Sequence, residues 1–220
     1  METLISEITR TEFVPSMKIF LFLTALSFLP MLVFMATSFV RTTVTFSFLK
    51  SALGIQQSIP NQVLIGLAMA LTFFIMSPVM KDINENAIEP YMKEKISTEE
   101  FLEESAKPIR KFLLKQTRDA DLKLFVDASG LSEKELTKEN IPLHVVIPAF
   151  AISELKTGFQ IGFIIYLPFM LLDIIVASGL MSMGMFMLPP TMISTALKLL
   201  IFVMADGWNL IVKALINSFM

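Results

Sequence analysis

Long stretches with almost no charged residue occupy both ends of the chain, and a charge-rich stretch separates them. A helix of about 20 apolar residues crosses roughly 30 Å of hydrocarbon. The stretches that reach or approach this length are residues 19–40, 51–80, 157–172, 174–197 and 199–220. The pattern predicts two hydrophobic helical hairpins, one on each side of the charge-rich stretch.

The charge-rich stretch, residues 81–143, holds 11 Lys/Arg and 14 Asp/Glu. Two capping patterns predict helix starts in it: Ser97 with Glu100, and Ser132 with Glu135. Pro108 suits the first turn of a further helix, and Gly130 suits a left-handed cap at its end. We interpret the stretch as a small amphipathic helical module facing water rather than a dedicated binding site.

The fold class predicted from these patterns is an all-α integral membrane protein. Its parts are an N-terminal hydrophobic helical hairpin (1–80), a polar helical domain (81–143) and a C-terminal hydrophobic hairpin (144–220). The composition agrees, since 54% of the 220 residues are hydrophobic and only 17% are charged, whereas about a quarter is usual in soluble domains.

Two features of the first hairpin bear on its insertion. The 18 residues at the start hold three Glu against one Arg and one Lys, so they lack the basic region of a secretory signal, and we expect an uncleaved segment. Arg41 and Lys50 are the only charges between the first two apolar stretches. If residues 41–50 form a loop, these two positive charges place the loop in the cytoplasm and the polar domain on the opposite side.

Several function classes have no support in the residues. The chain has no cysteine and one histidine, which removes disulfides, thiolate metal sites and most zinc or Ser/His/Asp chemistry. No nucleotide-binding or hydrolase motif is present. The net charge of −2 and the lack of a basic face argue against nucleic acid as a partner. We therefore expect no enzyme activity, no cofactor and no metal.

Ionisable residues inside or beside the apolar stretches are candidates for pairing. Such a charge costs about 2.5 to 3.5 kcal/mol at membrane depth, so it usually faces protein or water and finds a partner. The candidates are Arg41, Glu154, Lys156, Asp173, Lys198 and Asp206. Ion pairs between helices or subunits are favoured over a proton relay, because acids and bases are nearly balanced. We expect Asp173 to pair with a cation from a neighbouring helix or subunit.

Two shorter features concern packing. Gly158 and Gly162 form a GxxxG spacing, which either brings a neighbouring helix close to the backbone or arises by chance. The sequence ADGWN, with Asp206 and the only tryptophan, Trp208, interrupts the last apolar stretch. Trp208 is either an anchor at the membrane interface or part of a packing corner.

The segment MSMGMFMLPP, residues 181–190, places methionines at alternate positions. They share one side if the segment is extended, and its two prolines prevent a helix from continuing beyond Leu188. Irregular backbone at membrane depth is tolerated where it is buried or lines an aqueous cavity. Three interpretations stay open: core packing, a deformable constriction around a pathway, or a Cu(I) site built from soft thioethers.

Four longer segments carry a family resemblance. They are PAFAISELKTGFQIGF at 148–163, PFMLLDIIVASGLMSMGMFMLPP at 168–190, KLLIFVMADGWN at 198–209, and the two runs TSFVRTTVTFSFLKSALG and PNQVLIGLAMALTFFIMSPV within 37–79. Together they resemble FliP, a core protein of the flagellar type III export gate. Injectisome relatives share the architecture, but NQVLIGLAMALTFFIMSP and SELKTGFQIGF are more similar to the flagellar branch.

The resemblance implies an inner-membrane, multi-pass protein of the flagellar basal body. It implies a homo-oligomer of five copies, joined by FliQ-like and FliR-like subunits, through which unfolded flagellar proteins pass. The methionine gasket of the family corresponds to Met185, Phe186 and Met187, with Phe186 where methionine is common. It also implies that the hairpins pack largely against other subunits, and that the polar domain lies on the outer side.

The resulting functional prediction is a channel-forming subunit of the flagellar export gate. The alternatives are a subunit of a virulence export gate, a small membrane transporter with a Met-type Cu(I) site, and a purely structural scaffold of the basal body. Retention of equimolar Cu(I) after purification is the result that the transporter alternative predicts.

Overall fold

The computed structural model describes residues 17–130 and 141–220, apart from residues 25, 29, 32 and 57. The chain divides into two units, Met1–Met35 and Ala36–Met220. In the first unit the described residues form helix α1, Met17–Met35. The expectations for the N-terminal start of the chain and for the Ser132 and Glu135 cap lie outside the described residues.

Every regular element of the second unit's described residues is helical, as predicted. The elements are α2 (Phe39–Ala52), α3 (Asn61–Ile83), a π-helical turn (Asn84–Ile88), α4 (Glu89–Met92), α5 (Thr98–Gln116), α6 (Asp119–Ser129), α7 (Leu143–Ser182), α8 (Pro190–Met204) and α9 (Gly207–Asn217). α3, the π-helical turn and α4 form one continuous helix, Asn61–Met92.

Three helices in the described part of the chain are long and apolar enough to cross a membrane: α1, Asn61–Met92 and α7. α8 and α9 together pass the same test, although they meet at a bend of 65°. α7 runs without interruption through Asp173, which the sequence pattern had suggested as a break between apolar stretches.

The segment that contains Arg41 and Lys50 was predicted as a loop, and this prediction is wrong. It is helix α2, and α2 packs more extensively against α7 than any other pair of elements does. Arg41 is buried, while Lys50 donates hydrogen bonds to the Ile59 carbonyl and the Asn61 side chain, both at 2.7 Å. The orientation argument loses its basis, because a buried arginine does not mark a cytoplasmic loop.

The helix caps of the polar domain test the local predictions. The capping box of Ser97 and Glu100 is confirmed at the start of α5. Gly130 is a left-handed cap at φ 69°, as predicted, but it ends α6, because the helix predicted from Pro108 to Gly130 is broken between Gln116 and Asp119. Pro108 does not begin a helix, since it lies inside α5. The capping box starts this helix upstream, and burial of Leu113 on the same helix offsets the hydrogen bond that Pro108 cannot donate.

α7 joins two hydrophobic cores. Its N-terminal part, including Val146 and Phe150, packs with residues of α5 and α6. Farther along, Phe169 joins a second core, which includes Phe46 of α2 and Phe202 of α8. A single long helix therefore links the polar domain to the methionine-rich segment at its C-terminal end.

Candidate functional site: the methionine loop and its supporting ion pairs

The methionine-rich segment forms a loop between two apolar helices. α7 ends at Ser182, Gly184 adopts φ 75°, and the Met185 N–H donates to the Leu180 carbonyl at 3.0 Å. Pro190 then starts α8, a position that suits its fixed φ. The residues form turns rather than a strand, so the methionines do not share a side as an extended segment would arrange them.

The three predicted gate residues lie in this loop and are accessible in the single chain. Met187 is 100% exposed, Phe186 is 79% exposed and Met185 is 38% exposed. Such exposure of large apolar side chains at the end of two apolar helices is costly in water. The loop therefore presents an apolar surface that other molecules can cover.

An ion pair ties the two helices below the loop. Lys198 Nζ of α8 donates to Asp173 Oδ2 of α7 at 2.6 Å, and the lysine side chain is buried. This is an arrangement of the kind expected for Asp173, with the cation on the neighbouring helix. Because the paired residues lie on both arms of the hairpin, their contact holds the register in which the loop is presented.

A second ion pair lies in the interface of α2 and α7. Arg41 Nη2 donates to Glu154 Oε1, and the two side chains are 3% and 0% exposed. Arg41 also donates to the Ser218 carbonyl at 2.9 Å and to Gln116 Oε1 at 3.2 Å. Its guanidinium lies 3.8 Å from the ring centre of Phe219. Arg41 thus joins α2 to α5, α7 and the segment after α9.

The GxxxG pair lies in the same interface. A Cβ added at Gly158 would lie 3.0 Å from Val44 Cβ, and one added at Gly162 would lie 2.4 Å from Phe48 Cγ. Both glycines therefore allow α2 to approach the backbone of α7 closely. This close contact between α2 and α7 agrees with the interpretation of the GxxxG spacing as a helix-packing site.

We expect Gly162→Ala to lower the thermal unfolding midpoint, because the new methyl group displaces Phe48 and opens the interface of α2 and α7. Gly179→Ala in the same helix is the matched control, since a Cβ there meets nothing within 4 Å. The control should leave the midpoint unchanged or raise it, because alanine favours helix by up to about 1 kcal/mol. Equal midpoints for the two variants, measured in detergent, would contradict the close approach.

A third ion pair connects α7 to the polar domain. Lys156 Nζ donates to Asp121 Oδ1, and Ser153 Oγ donates to Asp121 Oδ2 at 2.8 Å. The hydrogen bond from Lys156 holds the pKa of the buried Asp121 carboxyl below its ordinary value, although burial acts in the opposite direction. Hydrogen bonding from Ser153 and the charge of Arg118 contribute to the same shift.

Asp121→Asn should reduce the free energy of unfolding at pH 7 by about 1 to 2 kcal/mol. The pKa of Asp121 is lowered in the folded state, so its contribution is present above the ordinary carboxyl pKa of about 4 and is lost as the pH falls. The difference in unfolding midpoint between wild type and variant should therefore shrink below about pH 4. Asp127→Asn, at an exposed position on α6, is the matched control and should change the unfolding midpoint at pH 7 less than Asp121→Asn does.

The last predicted ion-pair residue, Asp206, has no ion-pair partner within the described ranges. It is exposed at the bend between α8 and α9, where its backbone adopts φ 50°. Trp208 follows, with its ring 5.4 Å from Phe202 and 6.5 Å from Phe46, centre to centre. The bend is thus a packing corner, and pairing of Asp206 with another subunit stays a prediction.

Sequence reasoning missed the polar partners of these ion pairs. Gln116 and Ser218 bind Arg41 across separations of 75 and 177 residues, and Asp121 lies 35 residues before Lys156. Asp121 appeared only as one acid among many in the polar stretch. One available signal was its position beside Leu122 on the inward side of a short amphipathic helix.

Comparisons with known proteins identify the family of this chain. The FliP family matches residues 22–215. Flagellar biosynthetic protein FliP of Bacillus subtilis is 50% identical over 93% of this chain and 92% of its own length. Those of Pectobacterium carotovorum and Aquifex aeolicus are each 46% identical, over 93% and 94% of this chain and 79% and 87% of their own lengths. The chain belongs to the FliP family.

Proposed function

We propose that this chain is the repeated, channel-forming subunit of the flagellar protein export gate. Membership of the FliP family and the apolar helices make it a membrane-embedded component of flagellar export, in the inner membrane at the basal body. The proposal adds that several copies, five by family resemblance, assemble with FliQ-like and FliR-like subunits. Unfolded flagellar proteins then pass through the middle of this assembly. The names of the matched relatives favour the flagellar role over a virulence gate.

The observation that carries the proposal is the apolar loop of Met185, Phe186 and Met187. Its side chains are exposed in the single chain, while two packed helices and the ion pair of Asp173 and Lys198 fix its base. Loops from several copies that meet on one axis would bury these side chains against each other. A hydrophobic constriction of this kind closes a pore to water and ions.

The mechanism is gated passage without a catalytic step. At rest the thioethers and the Phe186 ring fill the constriction. Methionine has an unbranched, flexible side chain, so the same residues can move aside and close around an extended chain of varying side chains. Phe186, with fewer rotatable bonds, gives the closed state a stiffer element.

Coexpression with the FliQ-like and FliR-like neighbours, followed by electron microscopy, tests the proposal. We expect a closed multi-subunit particle in which the loops of residues 183–189 surround the central axis. Particles whose loops lie on the lipid-facing perimeter, or a protein that stays monomeric with both neighbours present, would overturn it.

A further inference from the structure

The polar domain has an uneven charge distribution that the gate does not explain. Residues 89–105 hold six Glu and two Lys, whereas residues 106–118 hold five Lys/Arg and no acid. Both segments contribute to α5, so the acidic part lies at its N-terminal half and the basic part at its C-terminal half. The helix dipole favours this order in the terminal turns. It does not account for the apolar surface beside each part.

The acidic part carries exposed apolar side chains. Met92 is 78% exposed and Leu102 is 62% exposed, at the corner where α4 turns into α5. Glu99, close to both in sequence, forms no ion pair with any described residue. We call this region, residues 89–105, the acidic corner.

The basic part borders an apolar groove of about 500 Å³ between α3, α5 and the end of α9. Its apolar lining includes Phe74, Val79, Phe112, Ile216 and Phe219, and its charged lining consists of Lys111, Lys115 and Asp82. The groove therefore offers an apolar floor with an excess of positive charge. We call it the basic groove.

Glu104 and Lys107 form an exposed ion pair where the acidic and basic parts adjoin, but Glu99 of the acidic corner and Lys111 of the basic groove cannot meet within one copy. From Glu99 to Lys111 the helix rises by roughly 18 Å and turns by roughly 120°, so the two residues are distant and face different directions. Opposite charge and matching apolar character make the surfaces complementary. We propose that the acidic corner of one copy docks into the basic groove of the next, so that copies of this chain join head to tail, with the polar domain of one copy against the groove between α3, α5 and the end of α9 of its neighbour.

The inference rests on the proposed function, in which the chain is a repeated subunit. The inference adds which two faces of neighbouring copies are in contact. A contact between two different patches is heterologous and continues from copy to copy, as a ring requires. The apolar side chains supply most of the buried area. The opposite charges select the correct neighbour and register.

Cysteine cross-linking of Ser77→Cys with Leu102→Cys tests the contact, because the chain has no cysteine of its own. Ser77 lines the basic groove, and Leu102 lies on the acidic corner. α3 and α5 are joined through a turn after Met92, and Ser77 lies roughly 15 Å farther from this turn than Leu102. A bond within one copy is thereby excluded, since a disulfide needs Cα atoms within about 7 Å.

Oxidation of membranes that contain the double-cysteine variant, the wild-type partners and an intact assembly should give a ladder of cross-linked species beyond the dimer. The matched control combines Ser77→Cys with Leu124→Cys on α6, where the leucine is similarly exposed at 57%. If the two pairs cross-link equally, or neither does while the wild type is oligomeric on native gels, this contact is wrong and the proposed function stands. A wild type that stays monomeric with its neighbours present overturns both.

Charge reversal provides a second arm. Glu99→Lys alone and Lys111→Glu alone should each reduce the cross-linked fraction about two- to fivefold, as expected for an exposed ion pair. The chain with both changes should recover the wild-type fraction, because every contact regains opposite charges. Additive losses in the double variant would contradict the pairing of these surfaces.

Discussion

Arg41→Ala should be the most destabilising single substitution in the interface of α2 and α7. It removes the partner of Glu154, whose side chain is 0% exposed, and also leaves Gln116 Oε1 and the Ser218 carbonyl without a donor. Removing one member of a buried ion pair costs about 3 to 5 kcal/mol, because the other charge stays buried and unpaired. Thermal unfolding in detergent measures the loss. The signal is the fluorescence of Trp208, whose ring packs against Phe202 and Phe46 in the folded protein.

Two further variants separate charge from geometry. Arg41→Lys keeps the charge but cannot reach Glu154, Gln116 and Ser218 with one planar group, so it should be intermediate. Arg41→Met combined with Glu154→Gln removes both charges and should recover part of the lost stability. A midpoint for Arg41→Ala close to that of wild type would show that Arg41 does not join these elements.

The sequence predicted what local patterns encode. Apolar length gave the membrane-type helices, and the spacing of Ser97 and Glu100 gave a helix start, since both depend on neighbouring residues alone. The need of Asp173 for a cation also followed from its surroundings. The choice of Lys198 did not, because it depends on how α8 folds back along α7.

The errors have one physical origin, which is tertiary packing. Two charges suggested a loop at residues 41–50, but Arg41 points into the protein, where Glu154 neutralises it, so α2 can be buried. Pro108 suggested a helix start, but the surrounding core keeps α5 helical through it. In each case a contact with a distant residue outweighs the local preference.

The ion pairs and the methionine loop form one continuous arrangement along α7. Lys156 with Asp121 lies near its polar end, Glu154 with Arg41 lies beside it, and Asp173 with Lys198 lies closer to the loop. Helices fixed at several levels present the loop on a rigid base. A flexible apolar closure on a rigid base suits a pore that opens for a passing chain and then closes again.

Met185→Ala combined with Met187→Ala should therefore make the assembled gate leak. Each alanine removes the flexible part of a thioether side chain, so a constriction built from several copies loses apolar atoms from every loop and admits water. We expect ion permeability on the order of tenfold above wild type, since a hydrophobic constriction closes by excluding water. Met80→Ala combined with Met204→Ala removes two exposed thioethers outside the loop, at 58% and 78% exposure, and should not leak. Met185→Leu combined with Met187→Leu keeps the apolar volume and should stay closed, while export slows because leucine is less flexible. The measurement is ion flux across membrane vesicles that hold the intact assembly. If the loop variant keeps its oligomer and is no leakier than the Met80 and Met204 control, Met185 and Met187 do not close the pore.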